Sequence, residues 1–195
     1  MKKILSAFCL LLIVFGCSKN ETLIAPAPIY PNPNYITYTI LQGQHYCDKN
    51  SFRPFNANQM AFKVKFDSTA IYQSSNAANQ FDINKLYGFS EGQNHHINSA
   101  RIGWVWNKNA LRLYAYVYSD STRKMKEITA VGIGEEISCS IGISGKQYVF
   151  SVNKISTSLE RSIEGPAVAG YWLYPYFGGD ETAPHNIFID IMDAI

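Results

Sequence analysis

Apolar and polar residues alternate with a period of two through much of this chain, and no apolar stripe of helical period runs for long. Between residues 111 and 118, Leu111, Leu113, Ala115 and Val117 share one face, while Arg112, Tyr114, Tyr116 and Tyr118 share the other. In the preceding run Ala100, Ile102, Trp104 and Trp106 oppose Arg101, Gly103 and Val105. Runs of this kind, bounded by turn-forming residues, predict nine short strands: 35–42, 60–66, 99–106, 111–118, 126–131, 136–143, 147–153, 170–177 and 186–192. Asn107-Lys108-Asn109 and Ser144-Gly145-Lys146 read as hairpin loops, because Asn and Gly tolerate left-handed backbone. Residues 82–87 and 156–161 read as single helical turns. The expected fold class is all-β, an antiparallel two-sheet β-sandwich spanning residues 35–195. Frequent Tyr and Phe support strands over helices.

The first residues follow a different pattern. Lys2 and Lys3 precede an apolar stretch broken only by Ser6. That stretch is about a dozen residues long, short of the roughly 20 that span a bilayer as a helix. Residues 1–16 therefore read as an export signal, to be set aside before fold reasoning. The segment Val14-Phe15-Gly16-Cys17 resembles the lipobox of bacterial lipoproteins, with Phe15 larger than that family's usual residue. The resemblance implies cleavage after Gly16 and acylation of Cys17, palmitate included, and so a membrane anchor at the cell envelope; the outer membrane is the expected seat. Residues 17–34 then form a tether, in which Pro26, Pro28, Pro31 and Pro33 favour an extended path. At about 3.1 Å per residue it would reach roughly 50 Å.

Charge narrows the function classes. The precursor carries a formal charge of +2 from 17 basic and 15 acidic residues, and Lys2 and Lys3 leave with the signal, so the mature chain is neutral. Neutrality argues against nucleic acid as a partner, whose phosphates demand a surplus of Lys and Arg. Of four cysteines, Cys9 leaves with the signal and Cys17 takes the lipid, leaving Cys47 and Cys139 as a candidate disulfide or as two separate thiols.

Three constellations carry candidate chemistry. The first is aromatic: Trp104 and Trp106 on one strand, Tyr114, Tyr116 and Tyr118 on its partner, with Arg101 and Arg112 nearby. Flat rings stack on the C–H faces of sugars while polar neighbours bond the hydroxyls; the same rings would equally fill a core. The second is the loop Gly178-Gly179-Asp180-Glu181-Thr182-Ala183-Pro184-His185, where Asp180 and His185 are candidates to touch a glycan. Its oxygens would suit calcium, although an ordinary solvated turn fits too, and no other cofactor is expected. The third is histidine: His95 and His96 are adjacent, with His45 and His185 elsewhere, and this spacing suits a polar loop better than a zinc site. No nucleophile elbow, phosphate loop or His-Glu-x-x-His helix occurs. Asp190-Ile191-Met192-Asp193 reads as a final strand rather than as paired catalytic carboxylates.

The strand pattern resembles the concanavalin-like jelly roll. Asp82-Ile83-Asn84-Lys85-Leu86-Tyr87-Gly88, Asn98-Ser99-Ala100-Arg101-Ile102-Gly103-Trp104 and Pro175-Tyr176-Phe177-Gly178-Gly179 are similar to segments of uncharacterised cell-envelope lipoproteins. That resemblance implies fold and location and transfers no catalytic residue. The expected function is a lipid-anchored, non-catalytic binding protein with a glycan ligand. The alternatives are a structural or adhesive surface subunit and a polysaccharide-degrading enzyme.

Overall fold

The computed structural model describes residues 34–194, so the export signal, Cys17 and all but the end of the tether lie outside the described residues. Twelve strands form two six-stranded antiparallel sheets. The first sheet runs in the order β1 (Ile36–Ile40), β12 (Ile187–Ala194), β3 (Gln59–Phe66), β8 (Ile137–Ser144), β9 (Gln147–Val152), β10 (Ile155–Glu160). The second runs β2 (Pro54–Phe55), β11 (Gly170–Leu173), β4 (Asn84–Ser90), β5 (Ser99–Asn107), β6 (Ala110–Ser119), β7 (Thr122–Val131). The two sheets enclose one core, and the fold is the antiparallel two-sheet sandwich that the alternation predicts.

Strict alternation builds that core. β3 buries Met60, Phe62, Val64 and Phe66, while β6 buries Leu111, Leu113, Ala115 and Val117. Tight turns join the hairpins. Lys108 and Asn109 both have positive φ (50° and 56°), as do Asp120 and Ser121 (51° and 61°) and Asn153 and Lys154 (46° and 74°). Two-residue turns of that hand match the twist of the strands they connect.

Two expected helical turns are strands, and each has a local reason. In the 82–87 segment, Ile83, Leu86 and Tyr87 fall at helical spacing, but a bulge between Lys85 and Tyr87 creates it. The extra residue breaks the period of two. Residues 156–160 of the other segment belong to β10, an edge strand paired with β9, and the Asn153-Lys154 turn before it supplied the missed signal. β7 begins at Thr122 rather than at residue 126, because its exposed early residues carry no apolar pattern.

The proposed cysteine pair is corrected too: Cys47 and Cys139 are free, buried thiols. Cys47 bridges Ile40 at the outer side of β1, whereas Cys139 lies in β8, with β12 and β3 between. At about 4.8 Å per strand they stand far beyond the roughly 7 Å Cα limit for a bridge. Burial pushes the Cys47 thiol up to about 11.

One buried ion pair ties the two sheets together. Glu91, just after β4, and Arg161, just after β10, both have fully buried side chains and meet through two hydrogen bonds of 2.7 and 2.6 Å. Tyr148 and the Val168 backbone N–H also donate to Glu91, and Arg161 donates to the carbonyls of Gly145, Ile163, Gly165 and Pro166. Burial alone would push the Glu91 carboxyl up, but these donors outweigh it and hold it below the usual range. Removing one member of such a pair leaves a bare buried charge. Arg161→Met is therefore expected to cost about 3–5 kcal/mol, read as a lowered denaturant midpoint. An unchanged midpoint would show the pair to be dispensable.

Candidate functional site

β5 and β6 pair with Trp104 opposite Leu113, Trp106 opposite Leu111, Arg101 opposite Tyr116 and Ser99 opposite Tyr118. Directly opposed residues share a face, so the tryptophans and the tyrosines lie on different sides of the sheet. The single aromatic face expected from the sequence is therefore two. Trp104 is fully buried between the sheets against Phe66, Tyr72 and Phe177, and its indole N–H has no partner among the described residues. Trp106 is half-buried on the same inner side. Neither tryptophan lines a groove.

The outer side of the second sheet carries an open groove of about 540 Å³. Arg101 and Tyr116 lie in its floor, Tyr118 and Arg123 on one side, and Lys85 with Tyr176 on the other. β11 adds Tyr171 and Trp172, and the chain then turns through Tyr174 and Pro175 to Tyr176. His95 and His96 close one end from the turn that follows Glu91, so the buried ion pair anchors the segment that presents them. At the rim, Tyr46 and Phe52 are 65% and 73% exposed, which leaves their rings free to meet a ligand. Phe52 lies 5.8 Å from the Tyr171 ring, and Tyr46 meets Tyr176 edge-on at 4.9 Å.

Of the expected site residues, Arg101, Tyr116 and Tyr118 are gathered here. Tyr114 and Arg112 are not; both donate to Glu127 farther along the same face. Asp180 is exposed beside a shallow depression, and His185 Nε2 lies 2.8 Å from the Thr69 carbonyl. Glu181 accepts from the backbone of Ser75 and Asn76 and from the Asn79 side chain, so its carboxylate fastens a neighbouring turn. No group of three metal-binding side chains gathers among the described residues. Gly178 and Gly179 do reach the groove, and Gly178 takes φ of +84° where any Cβ would strike the Glu181 carbonyl.

Electrostatics single this surface out. Among the described residues Lys85, Arg101 and Arg123 line the groove and no Asp or Glu does, although the chain as a whole is near neutral. Lys85 donates to the Gly178 carbonyl at 2.7 Å and stands 5.4 and 5.5 Å from the Tyr116 and Tyr176 ring centres. Burial, reinforced by Arg101 and Arg123, lowers its ammonium to about 8. Burial likewise lowers Arg101 to about 10. The His95 Nδ1 lies 2.8 Å from the Tyr171 hydroxyl. Burial and then the Arg101 and His96 charges lower His95 to about 4, so its ring is neutral at ordinary pH. Sequence reasoning missed Lys85, Arg123, Tyr171, Tyr176, Tyr46 and Phe52, which come from separate segments that only the strand order unites.

No family model matches the sequence, and no curated protein does. Solved structures share the fold at very low identity. A glycoside hydrolase family 16 endo-glucanase from Bacteroides ovatus superposes with a TM-score of 0.52 at 8% identity, covering 80% of this chain and 78% of that one. A marine PL7 alginate lyase from Zobellia galactanivorans gives 0.52 at 10%, covering 84% and 80%. A functionally unknown protein from Saccharomyces cerevisiae gives 0.52 at 8%, covering 87% and 90%. These likenesses establish the jelly-roll architecture.

The depressed His95 has a consequence for stability. Its pKa falls from 6.5 unfolded to about 4 folded, so the unfolded chain binds the extra proton between those values. Stability is unaffected by this group above about pH 6.5 and is lost as pH falls toward 4. His95→Gln is expected to flatten that part of the profile in urea titrations, and an unaltered slope would count against the assigned environment.

Proposed function

We propose that this chain is a lipid-anchored cell-envelope protein that binds a glycan in the groove on the outer face of its second sheet, without catalysing a reaction on it. One observation carries the reading: an open groove walled by tyrosines, with two large aromatic rings left bare at its rim. Exposed rings on a folded surface cost solubility, and their usual return is contact with a ligand. Saccharides suit them, since rings cover the sugar's C–H face while Arg and Lys donate to hydroxyls and Asn donates or accepts. The lipobox-like segment ending at Cys17 supports the anchor, with the outer membrane as its seat. The glycan-active proteins that share this architecture lend the carbohydrate reading an analogy of fold.

A degradative enzyme is the second reading, and the His95–Tyr171 pair favours it, because a neutral imidazole beside a phenol is able to move a proton. Hydrolysis by two carboxylates does not fit, as no carboxylate among the described residues lines the groove. A subunit that donates its last strand fits poorly as well: β12 is paired on both sides, by β1 and β3.

Replacing both rim rings, Tyr46→Ala with Phe52→Ala, is expected to weaken glycan binding about fivefold or more while the melting temperature stays nearly constant, since the rings are exposed. A glycan array followed by calorimetry reads the first quantity. Equal affinity in the double variant overturns the groove as the binding site, and loss of polymer viscosity on incubation with the wild-type chain, abolished by His95→Gln, would replace binding with catalysis. Mass spectrometry of the native protein is expected to find a diacylated Cys17 at the N-terminus; an unmodified Cys17 joined to its leader removes the anchor.

A further inference from the structure

Arg101 is 8% exposed, yet among the described residues its guanidinium has neither a hydrogen bond nor an ion pair. Its N–H groups are not sealed in the interior; they line the floor of the groove. The charged surroundings offer no relief, since the neighbours that bear on it are the phenols of Tyr116, Tyr118, Tyr171 and Tyr176, and Lys85 and Arg123, which line the same groove, carry charge of the same sign. A buried cation with five donors and no acceptor is an unfavourable arrangement unless something arrives to accept them.

The same molecule holds a second buried arginine that is fully satisfied. Arg161 has its carboxylate and four backbone carbonyls. Burial as such therefore does not explain the bare state of Arg101. Its position does: the fork sits under the open groove, with Lys85 to one side and Arg123 at the rim.

Resting on the glycan reading above, we infer that the ligand is an acidic saccharide whose anionic substituent seats on the Arg101 guanidinium, with Lys85 and Arg123 flanking it. A planar fork matches the paired oxygens of a carboxylate or the face of a sulfate ester. Tyr116, Tyr118 and Tyr176 surround the seat with apolar walls, which strengthens a charged hydrogen bond by excluding water. Sugar rings on either side of the charged unit then reach the rim rings Tyr46 and Phe52.

The test uses the full-length chain in calorimetry with four probes: an oligogalacturonate, the same oligosaccharide with its carboxyl groups reduced, a sulfated galactan oligosaccharide, and inorganic sulfate. At least one acidic oligosaccharide is expected to bind tenfold or more tightly than the reduced neutral one, and which of the two does so separates carboxylate from sulfate. Arg101→Gln is expected to remove that advantage, a loss of about ten- to a hundredfold for the acidic oligosaccharide against a loss of about threefold or less for the neutral one. Because the variant deletes an unpaired buried charge, its melting temperature without ligand is expected to stay level or rise, which a merely structural arginine would not show. The exposed Arg123→Gln gives a second reading, a weaker loss in the same direction. If acidic and neutral oligosaccharides bind equally and Arg101→Gln changes neither, the anion seat is overturned and the glycan reading stands. If only inorganic sulfate binds and Arg101→Gln abolishes it, the seat stands and the glycan reading falls.

Discussion

The register of β5 against β6 sorts the whole second sheet into an inside and an outside. With Trp104 opposite Leu113 and Ile102 opposite Ala115, every inward residue of the hairpin centre is fully buried. A slip of one residue would send that set to solvent and bring Arg101, Tyr116 and Tyr118 into the core. Each large apolar side chain returned to water costs about 1.5–3 kcal/mol, so several together exceed the whole stability of an ordinary domain. The two-residue turn at Lys108 and Asn109 enforces the same register from the other end. The groove is thus a consequence of the core: once the apolar face is committed inward, arginine and tyrosine are delivered outward in fixed order.

That same turn explains where sequence reasoning succeeded and where it misled. Alternation along each strand was legible, and so was the all-β sandwich it implies. What alternation does not reveal is which face of one strand continues which face of the next. A three-residue loop at residues 107–109 would set Trp106 opposite Ala110 and place the tryptophans with the tyrosines; the actual loop is one residue shorter, with Asn107 opposite Ala110. Parity of loop length separates an aromatic surface from a mixed one. The bulge in β4 hides information in a similar way, since it gives Ile83, Leu86 and Tyr87 a helical spacing while aiming Lys85 into the groove.

The remaining groove residues were beyond local patterns for a topological reason. Lys85, Arg123, Tyr171 and Tyr176 are spread over more than ninety positions of sequence, and they join Arg101 and Tyr116 because β11 returns beside β4 after five strands of the first sheet have been laid down. Net charge also concealed them. A chain with balanced acids and bases can still hold a groove of one sign when its carboxylates are used elsewhere, as Glu136 is with Lys63, Glu127 with Arg112, Glu160 with Lys124 and Glu91 with Arg161.

The two buried arginines define what kind of surface the groove is. Around Arg161 the chain has invested a carboxylate, a phenol and a collar of carbonyls, and the result fastens one sheet to the other. Around Arg101 it has placed rings instead of acceptors, and the second cation, Lys85, is lowered to about 8 by burial and then by the Arg101 and Arg123 charges. Stability alone would favour an apolar residue at position 101, because an unpaired buried charge works against folding and an apolar side chain of similar volume does not. Proteins retain such unfavourable groups where a partner supplies the missing interaction, and the unsatisfied donors then contribute to binding without first having to break an internal bond. The energetic deficit at Arg101 and the attraction for an anionic group are therefore one property seen in the empty and the filled groove.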